Sequence, residues 1–198
     1  MNLANKLTII RIILVPIMVI IPFLGLEGNI FNIPVTWFIV DLIFIIASIT
    51  DKLDGHIARS RNQITSFGKF LDPIADKILV ISAMIMLVED GRLPAWIPII
   101  VLFREFAVSG YRLVSVENGG TVIAASIWGK LKTVTQMFAL IVALIDINPF
   151  GAIFTRGLDT FSFIINLFAT TMMSISVIAT ILSGIDYIKN GKKLLTDK

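Results

Sequence analysis

Six long apolar runs constrain what this chain can fold into more than any other feature: Leu7–Leu26, Pro34–Thr50, Ile74–Val88, Leu93–Val116, Ile127–Leu144 and Phe161–Tyr187. A helix that crosses the hydrocarbon core of a bilayer needs about 20 apolar residues, and each run comes close. Turn signals separate several of them: Gly28-Asn29, Gly91 and Pro94, Asn118-Gly119-Gly120, and Pro149 to Gly151. The third run is short, so its helix is expected to start earlier, near Gly68 or Phe70. Helices of a water-soluble bundle would carry a polar stripe at a period of 3.6, and Leu42–Ile49 and Phe161–Ile165 carry none. Composition agrees: 56% of the residues are hydrophobic and 16% charged, against about 45–50% and about 25% in soluble domains. The expected fold is an all-α polytopic membrane protein with six transmembrane helices. No repeat or polar linker marks a second domain, so 1–198 reads as one.

Asn2, Lys6 and Arg11 ahead of Ile12–Leu26 resemble the start of a secretory signal. The residues that follow, Glu27, Gly28 and Asn29, offer no small-residue cleavage site, so this run reads as the first span. Six spans put both termini on one side. Of the 17 Lys and Arg residues, only Arg92 and Arg156 fall in the opposite loops. The positive-inside rule then places both termini and the segment 51–76 in the cytoplasm of a cell-membrane protein. The basic helix ends suit anionic lipid headgroups, and no nucleic-acid partner is expected. Cysteine is absent, which excludes disulfides and thiolate metal sites.

Between the second and third runs lie four aspartates, Asp51, Asp54, Asp72 and Asp76. Members of each pair stand three or four residues apart and share one face of a helix. Two helix ends side by side would gather four carboxylates, whose mutual repulsion calls for cations between them. Hard oxygen ligands select Mg²⁺ or Mn²⁺, and Mg²⁺ commonly shares its site with substrate phosphates. With no cysteine and His56 the one histidine, zinc chemistry is not expected. Gly55 and Ala58 leave a groove where a flat base or sugar could approach the backbone, and Arg59 beside them can take a phosphate bidentately. Gly68 suits a turn or a close helix approach. Pro73 fits the first turn of the third helix or a kink.

The pattern D-x2-D-G-x2-A-R-x8-G-x3-D-x3-D over Asp51–Asp76 resembles the signature of the CDP-alcohol phosphotransferases. Eight matched positions make chance occurrence on the order of 10⁻⁸ per chain. The resemblance implies six spans with the signature bridging the second and third, and a homodimer. It implies that Asp51, Asp54, Asp72 and Asp76 hold Mg²⁺ or Mn²⁺, two ions, with Asp76 also the catalytic base. It implies a CDP-diacylglycerol site formed by Thr50, Asp54, Gly55, Ala58, Arg59 and Gly68. Further stretches, Asn5–Arg11, Phe67–Lys77, Arg104-Glu105, and Trp128–Thr133 with Gln136, resemble the branch of the family whose acceptor is glycerol 3-phosphate.

Such an acceptor is a dianion and needs a cationic site. Thr8, Arg11, Arg104, Arg112, Lys130 and Lys132 are the candidates, all on or near the expected cytoplasmic helix ends. Arg104 and Glu105 stand about 12 Å inside their helix by its rise, where charges face a cavity or pair with neighbours. Glu105, Ser109 and Arg112 share a face expected to line a polar cavity under the metal site. The same chemistry with serine, inositol phosphate or phosphatidylglycerol as acceptor is the alternative. A divalent-cation transporter is a remoter one, because its acids would sit near the midplane. Asp41, about 15 Å from Asp51 along its helix, is expected to be a bundle-facing, hydrogen-bonded acid. Trp37 and Trp96 are expected in the aromatic belt of the outer side.

Overall fold

A computed structural model describes residues 3–60, 66–117 and 127–196. Within these, the side chains of 3–4, 52–60, 66–67, 69–70, 113–117 and 190–196 lie outside the described set. Six α-helices make up nearly all of it: α1 (Leu3–Ile20), α2 (Val35–Ser60), α3 (Ser66–Glu89), α4 (Trp96–Glu117), α5 (Ile127–Ile145) and α6 (Thr160–Thr196). Most of every apolar run of the sequence lies on one of them. A 3₁₀ turn, Ile21–Leu24, extends α1 and ends at Gly25 with φ 61°. The sequence gives no hint of the small antiparallel hairpin that follows, β1 (Asn29–Ile30) with β2 (Ile33–Pro34). Phe31 and Asn32 at its tip have φ of 52° and 64°, the paired positive values of a type I′ turn.

The two helix ends that flank the signature fall close to where the sequence reading puts them. Helix α2 continues through Asp51 and Asp54 to Ser60, and α3 begins at Ser66, ahead of Gly68. Pro73 therefore stands two turns inside α3. The N–H that proline lacks would have bonded the carbonyl of 69, so the cost falls on one bond near the helix start.

Helix α1 packs on α2 and α3, α5 on α2, α3 and α6, and α4 on α3 and α6. The core is built from Val15 and Met18 of α1, Val40 and Phe44 of α2, Leu79, Ala83 and Leu87 of α3, Leu140 and Leu144 of α5, and Met173 of α6. Polar side chains share this interior: Thr8, Arg11, Asp41, Lys132, Gln136, Ser176, Thr180 and Ser183 are all buried. Large apolar side chains point outward instead, among them Ile13, Ile46, Ile85, Phe103, Phe138 and Ile178. An apolar exterior around a partly polar interior suits a lipid solvent rather than water.

Asn5–Leu24, Ile127–Ile145 and Thr160–Lys189 are long and apolar enough to cross a membrane, and the chain is a membrane protein. The other three carry most of the site's ionisable residues, Asp51 on α2, Asp72, Asp76 and Lys77 on α3, and Arg104, Glu105 and Arg112 on α4, with Arg11 on α1 and Lys132 on α5 beside them.

The end of the bundle away from the aspartates is tied by Arg92. Its Nη1 donates to the carbonyls of Ala143, Leu144 and Asp146, closing the C-terminus of α5. Its guanidinium lies 3.7 Å from the ring centre of Trp37. Trp37 is thus half-buried against the core, whereas Trp96 is exposed and meets Phe150 edge to face. Asp41 is buried as expected, yet its Oδ1 has no hydrogen-bond partner among the described residues.

Candidate active site

The aspartates are organised from α1. Thr8 and Arg11 stand three residues apart on the face of α1 that packs against α2 and α3, and both are buried. Arg11 Nη1 lies 2.8 Å from Asp51 Oδ1 on α2, and its side chain is fully buried while that of Asp51 is 37% exposed. Thr8 Oγ1 donates to Asp72 Oδ1 on α3 at 2.7 Å. One helical turn of α1 therefore fixes one acid from each arm of the signature, and both acids keep lone pairs for other partners. Thr8 and Arg11 were expected with the acceptor cations, and the structure sets them against the carboxylates.

Asp76, one turn beyond Asp72 on α3, lies in the field of two acids, Asp51 and Glu105, and of two cations, Lys132 and Arg11. It also lines a cavity of about 190 Å³ with Lys77, Arg104, Glu105, Arg112, Lys132 and Gln136. Glu105 is the hub of that cavity. Its Oε1 accepts from Arg104 Nη1 at 2.7 Å and from Lys132 Nζ at 2.6 Å, and Lys77 Nζ lies 4.0 Å from Oε2. Lys77 Nζ also donates to Ser109 Oγ at 2.5 Å. Pairing this heavy is what a half-buried carboxylate among helices requires, and it fixes where the three cations stand.

Helix α6 braces the far wall. Arg104 Nη2 donates to Ser183 Oγ at 2.5 Å and Arg112 Nη2 to Tyr187 Oη at 2.6 Å. Ser183 and Tyr187, one turn apart on an apolar helix, are the signal that sequence reasoning passed over. Lys77, the last residue of the stretch Phe67–Lys77, was not among the acceptor-site candidates, although it follows Asp76 directly and lines the cavity. Lys130 is exposed on α5 and is not among the residues lining the cavity.

Of the donor-site residues, Thr50 is half-buried and its Oγ1 donates to Ala47 O within α2 at 2.7 Å. Gly68 is buried. Asp54, Gly55, Ala58 and Arg59 lie on the helical backbone of α2, but their side-chain positions fall outside the described residues, as does His56. Among the described residues no three acids or histidines form a metal-holding group by themselves.

The donor set nevertheless fits a hard divalent cation. Asp51 and Asp72 each receive one donor through Oδ1, and a carboxylate offers about four lone-pair sites.

The family model of CDP-alcohol phosphatidyltransferases matches residues 1–182. A Bacillus subtilis protein named CDP-diacylglycerol–glycerol-3-phosphate 3-phosphatidyltransferase is 43% identical, with 98% of each chain covered. A Haemophilus influenzae protein of the same name is 38% identical over 99% of this chain and 96% of its own. A Mycobacterium tuberculosis protein named probable phosphatidylglycerophosphate synthase is 36% identical over 94% of this chain and 80% of its own.

Proposed function

The chain belongs to the CDP-alcohol phosphatidyltransferase family, and on that premise we propose that it transfers the phosphatidyl group of CDP-diacylglycerol to a hydroxyl of sn-glycerol 3-phosphate, releasing CMP. The product is phosphatidylglycerophosphate, a step of phospholipid synthesis. One observation carries the reading. Asp76 belongs both to the aspartate cluster and to the wall of a cavity that also holds Lys77, Arg104, Arg112 and Lys132. A shared acid between a carboxylate cluster and a cationic cavity suits a pyrophosphate donor meeting a phosphorylated acceptor. The relatives' names support the same pair of substrates.

Asp51, Asp54, Asp72 and Asp76 would hold the metal, two Mg²⁺ or Mn²⁺ ions. Bound there, the ions supply positive charge to the donor's pyrophosphate and to the departing CMP. Thr50, Gly55, Ala58, Arg59 and Gly68 form the nucleotide side of the donor site. Arg104, Arg112 and Lys132 receive the acceptor's phosphate, with Lys130 at the mouth. Thr8 and Arg11 act mainly by holding Asp72 and Asp51 in place. Asp76 takes the proton of the acceptor hydroxyl as its oxygen bonds to the phosphorus that carries diacylglycerol. The bond from that phosphorus to the bridging oxygen breaks, and CMP leaves with the electron pair.

All six helices cross the bilayer in this reading. The outward faces of α2, α3 and α4 support it, since Leu42, Ile46, Ile49, Ile78, Ile85, Ile99, Phe103 and Phe106 are exposed. Both termini and the site face the cytoplasm, as the skew of Lys and Arg requires, and the enzyme is a homodimer. Purified protein given CDP-diacylglycerol, Mg²⁺ or Mn²⁺ and one acceptor at a time tests the reaction. CMP should appear with glycerol 3-phosphate, and its release with serine alone would overturn the acceptor.

A further inference from the structure

Among the described residues, six charged side chains line the polar cavity: Lys77, Arg104, Arg112 and Lys132 against Asp76 and Glu105. Four cations over two acids leave a formal surplus of positive charge that suits a phosphate dianion. The surplus is not shared evenly. Arg104 commits both terminal nitrogens to the protein, Nη1 to Glu105 and Nη2 to Ser183. Lys132 Nζ bonds Glu105 Oε1 at 2.6 Å, and Lys77 lies between Ser109 and the other oxygen of Glu105. Arg112 is the one cation of the cavity with no acid partner among the described residues. Its bond goes to the phenol of Tyr187 on α6.

That contact holds Arg112 without neutralising it. Tyr187 is 4% exposed whereas Arg112 is exposed, so a fixed ring carries a guanidinium that is open to the cavity. Arg112 Nη2 donates to Tyr187 Oη at 2.6 Å, and its guanidinium carbon lies 5.5 Å from the ring centre. The guanidinium carbon of Arg104 lies 5.7 Å from the same ring centre. One aromatic ring therefore spaces both guanidinium groups, each within cation–π range. A phenol accepts the hydrogen bond and leaves the charge in place. A carboxylate there would cancel the charge and compete with an incoming phosphate. The other donors of the planar fork stay open for bidentate capture.

We propose that Tyr187 is the positioning residue of the acceptor site, holding Arg112 charged and with open donors as the anchor for a phosphomonoester. Arg104 and Lys132, committed to Glu105, complete the wall. The inference rests on the acceptor reading above and adds to it a residue of α6, far from the signature Asp51–Asp76. It also supplies a basis for selection, since an acceptor without phosphate leaves the charge of Arg112 unmatched.

Tyr187→Phe keeps the ring and removes the hydroxyl, and Arg112, being exposed, rebonds to water. The KM for glycerol 3-phosphate should rise about tenfold, the worth of one charge-assisted hydrogen bond. The kcat, the KM for CDP-diacylglycerol and the melting temperature in detergent should stay at the parent's values. Arg112→Met should raise the acceptor KM at least as far, and adding Tyr187→Phe to it should raise it no further. Additive losses in the double variant, or an unchanged KM in Tyr187→Phe, overturn the proposal. A fall of kcat and melting temperature together, with KM unmoved, makes Tyr187 a brace between α4 and α6 and overturns it too.

A binding readout separates the residue from the reaction. Glycerol 3-phosphate should raise the melting temperature of the parent, and Tyr187→Phe should need about tenfold more of it for the same rise. If so, while the parent releases CMP only with serine, the phosphate site stands and the acceptor reading falls. If the parent releases CMP with glycerol 3-phosphate and Tyr187→Phe binds it equally well, the acceptor reading stands and Tyr187 positions nothing. A parent that neither binds nor uses glycerol 3-phosphate refutes both.

Discussion

Asp76 faces charges of both signs, Asp51 and Glu105 against Lys132 and Arg11, so asparagine there keeps the shape and removes the proton acceptor. Asp76→Asn is expected to lower kcat by about 10²- to 10⁴-fold. Donor binding, read by retention of radiolabelled CDP-diacylglycerol, should persist. An active variant would move the base elsewhere. Lys132 makes a different claim. Lys132→Met keeps its stem and removes its charge, and should raise the KM for glycerol 3-phosphate by roughly 10- to 100-fold, the worth of one or two charge-assisted hydrogen bonds. The KM for the donor should hold. Because the substitution strands Glu105, which accepts from Lys132 at 2.6 Å, the double variant with Glu105→Gln separates acceptor binding from damage to the fold. At this scale the acids were legible, because their spacing alone gathers them on helix faces. Their partners were not. Nothing local to Thr8 says that it bonds an aspartate 64 residues away, and Arg11 looked like a free cation until α1 was packed against α2.

Helices were the easiest feature to read, because six apolar runs admit few other structures, and the ends were the hardest. The apolar run stops at Thr50, and the spacing of Asp51 and Asp54 carries the helix on through the polar signature, where α2 ends at Ser60. Helical propensity at Lys52, Leu53 and Ala58 outweighs the single Gly55. Two loop residues show how the ends are held. Asp159 caps α6, its Oδ2 accepting from the amides of Phe161 and Ser162 at 3.2 Å. The Ser162 side chain and these amides hold its carboxyl below the usual carboxylate range. The depressed value makes this a stabilisation present above pH about 4 and lost as pH falls through the folded value. Asp159→Ala should therefore lower the melting temperature in detergent at pH 7, with the difference from the parent shrinking in acid. Arg92 closes the end of α5 with three carbonyl bonds from one Nη1 and lies flat on Trp37. Arg92→Lys keeps the charge but not the planar fork, and should cost about 1–3 kcal/mol of stability while leaving kcat, measured on the folded fraction, unchanged.

The sequence sorts all but two of its 17 Lys and Arg residues to one end, the exceptions being Arg92 and Arg156. The start of α1 reaches Asp72, the end of α6 reaches Arg104 and Arg112, and the cavity lies between them. Both ends of the described chain thus stand at the site's end of the bundle, which an even number of crossings requires. Hydropathy alone does not give six: the criteria of length and low charge select α1, α5 and α6. Helices α2, α3 and α4 carry most of the ionisable groups of the site, and in the six-span reading proposed above these are what lower their hydropathy. Arg11 pairs with Asp51, and Lys77, Arg104 and Lys132 with Glu105, while Ile46, Ile85 and Phe103 are exposed on the outer faces and would meet lipid in the six-span reading proposed above. In that reading, function depresses the very signal by which a span is recognised.

The absence of cysteine makes the arrangement testable one thiol at a time. Thr155 and Lys189 are both exposed, one beyond α5 and the other near the end of α6. In intact cells a membrane-impermeant maleimide should label Thr155→Cys. Lys189→Cys should react only after the membrane is opened. Labelling of Lys189→Cys from outside would invert the protein and put the site where no cytoplasmic nucleotide could reach it. Labelling of both from one side would mean that α6 does not cross, and the six-span reading would fall with it.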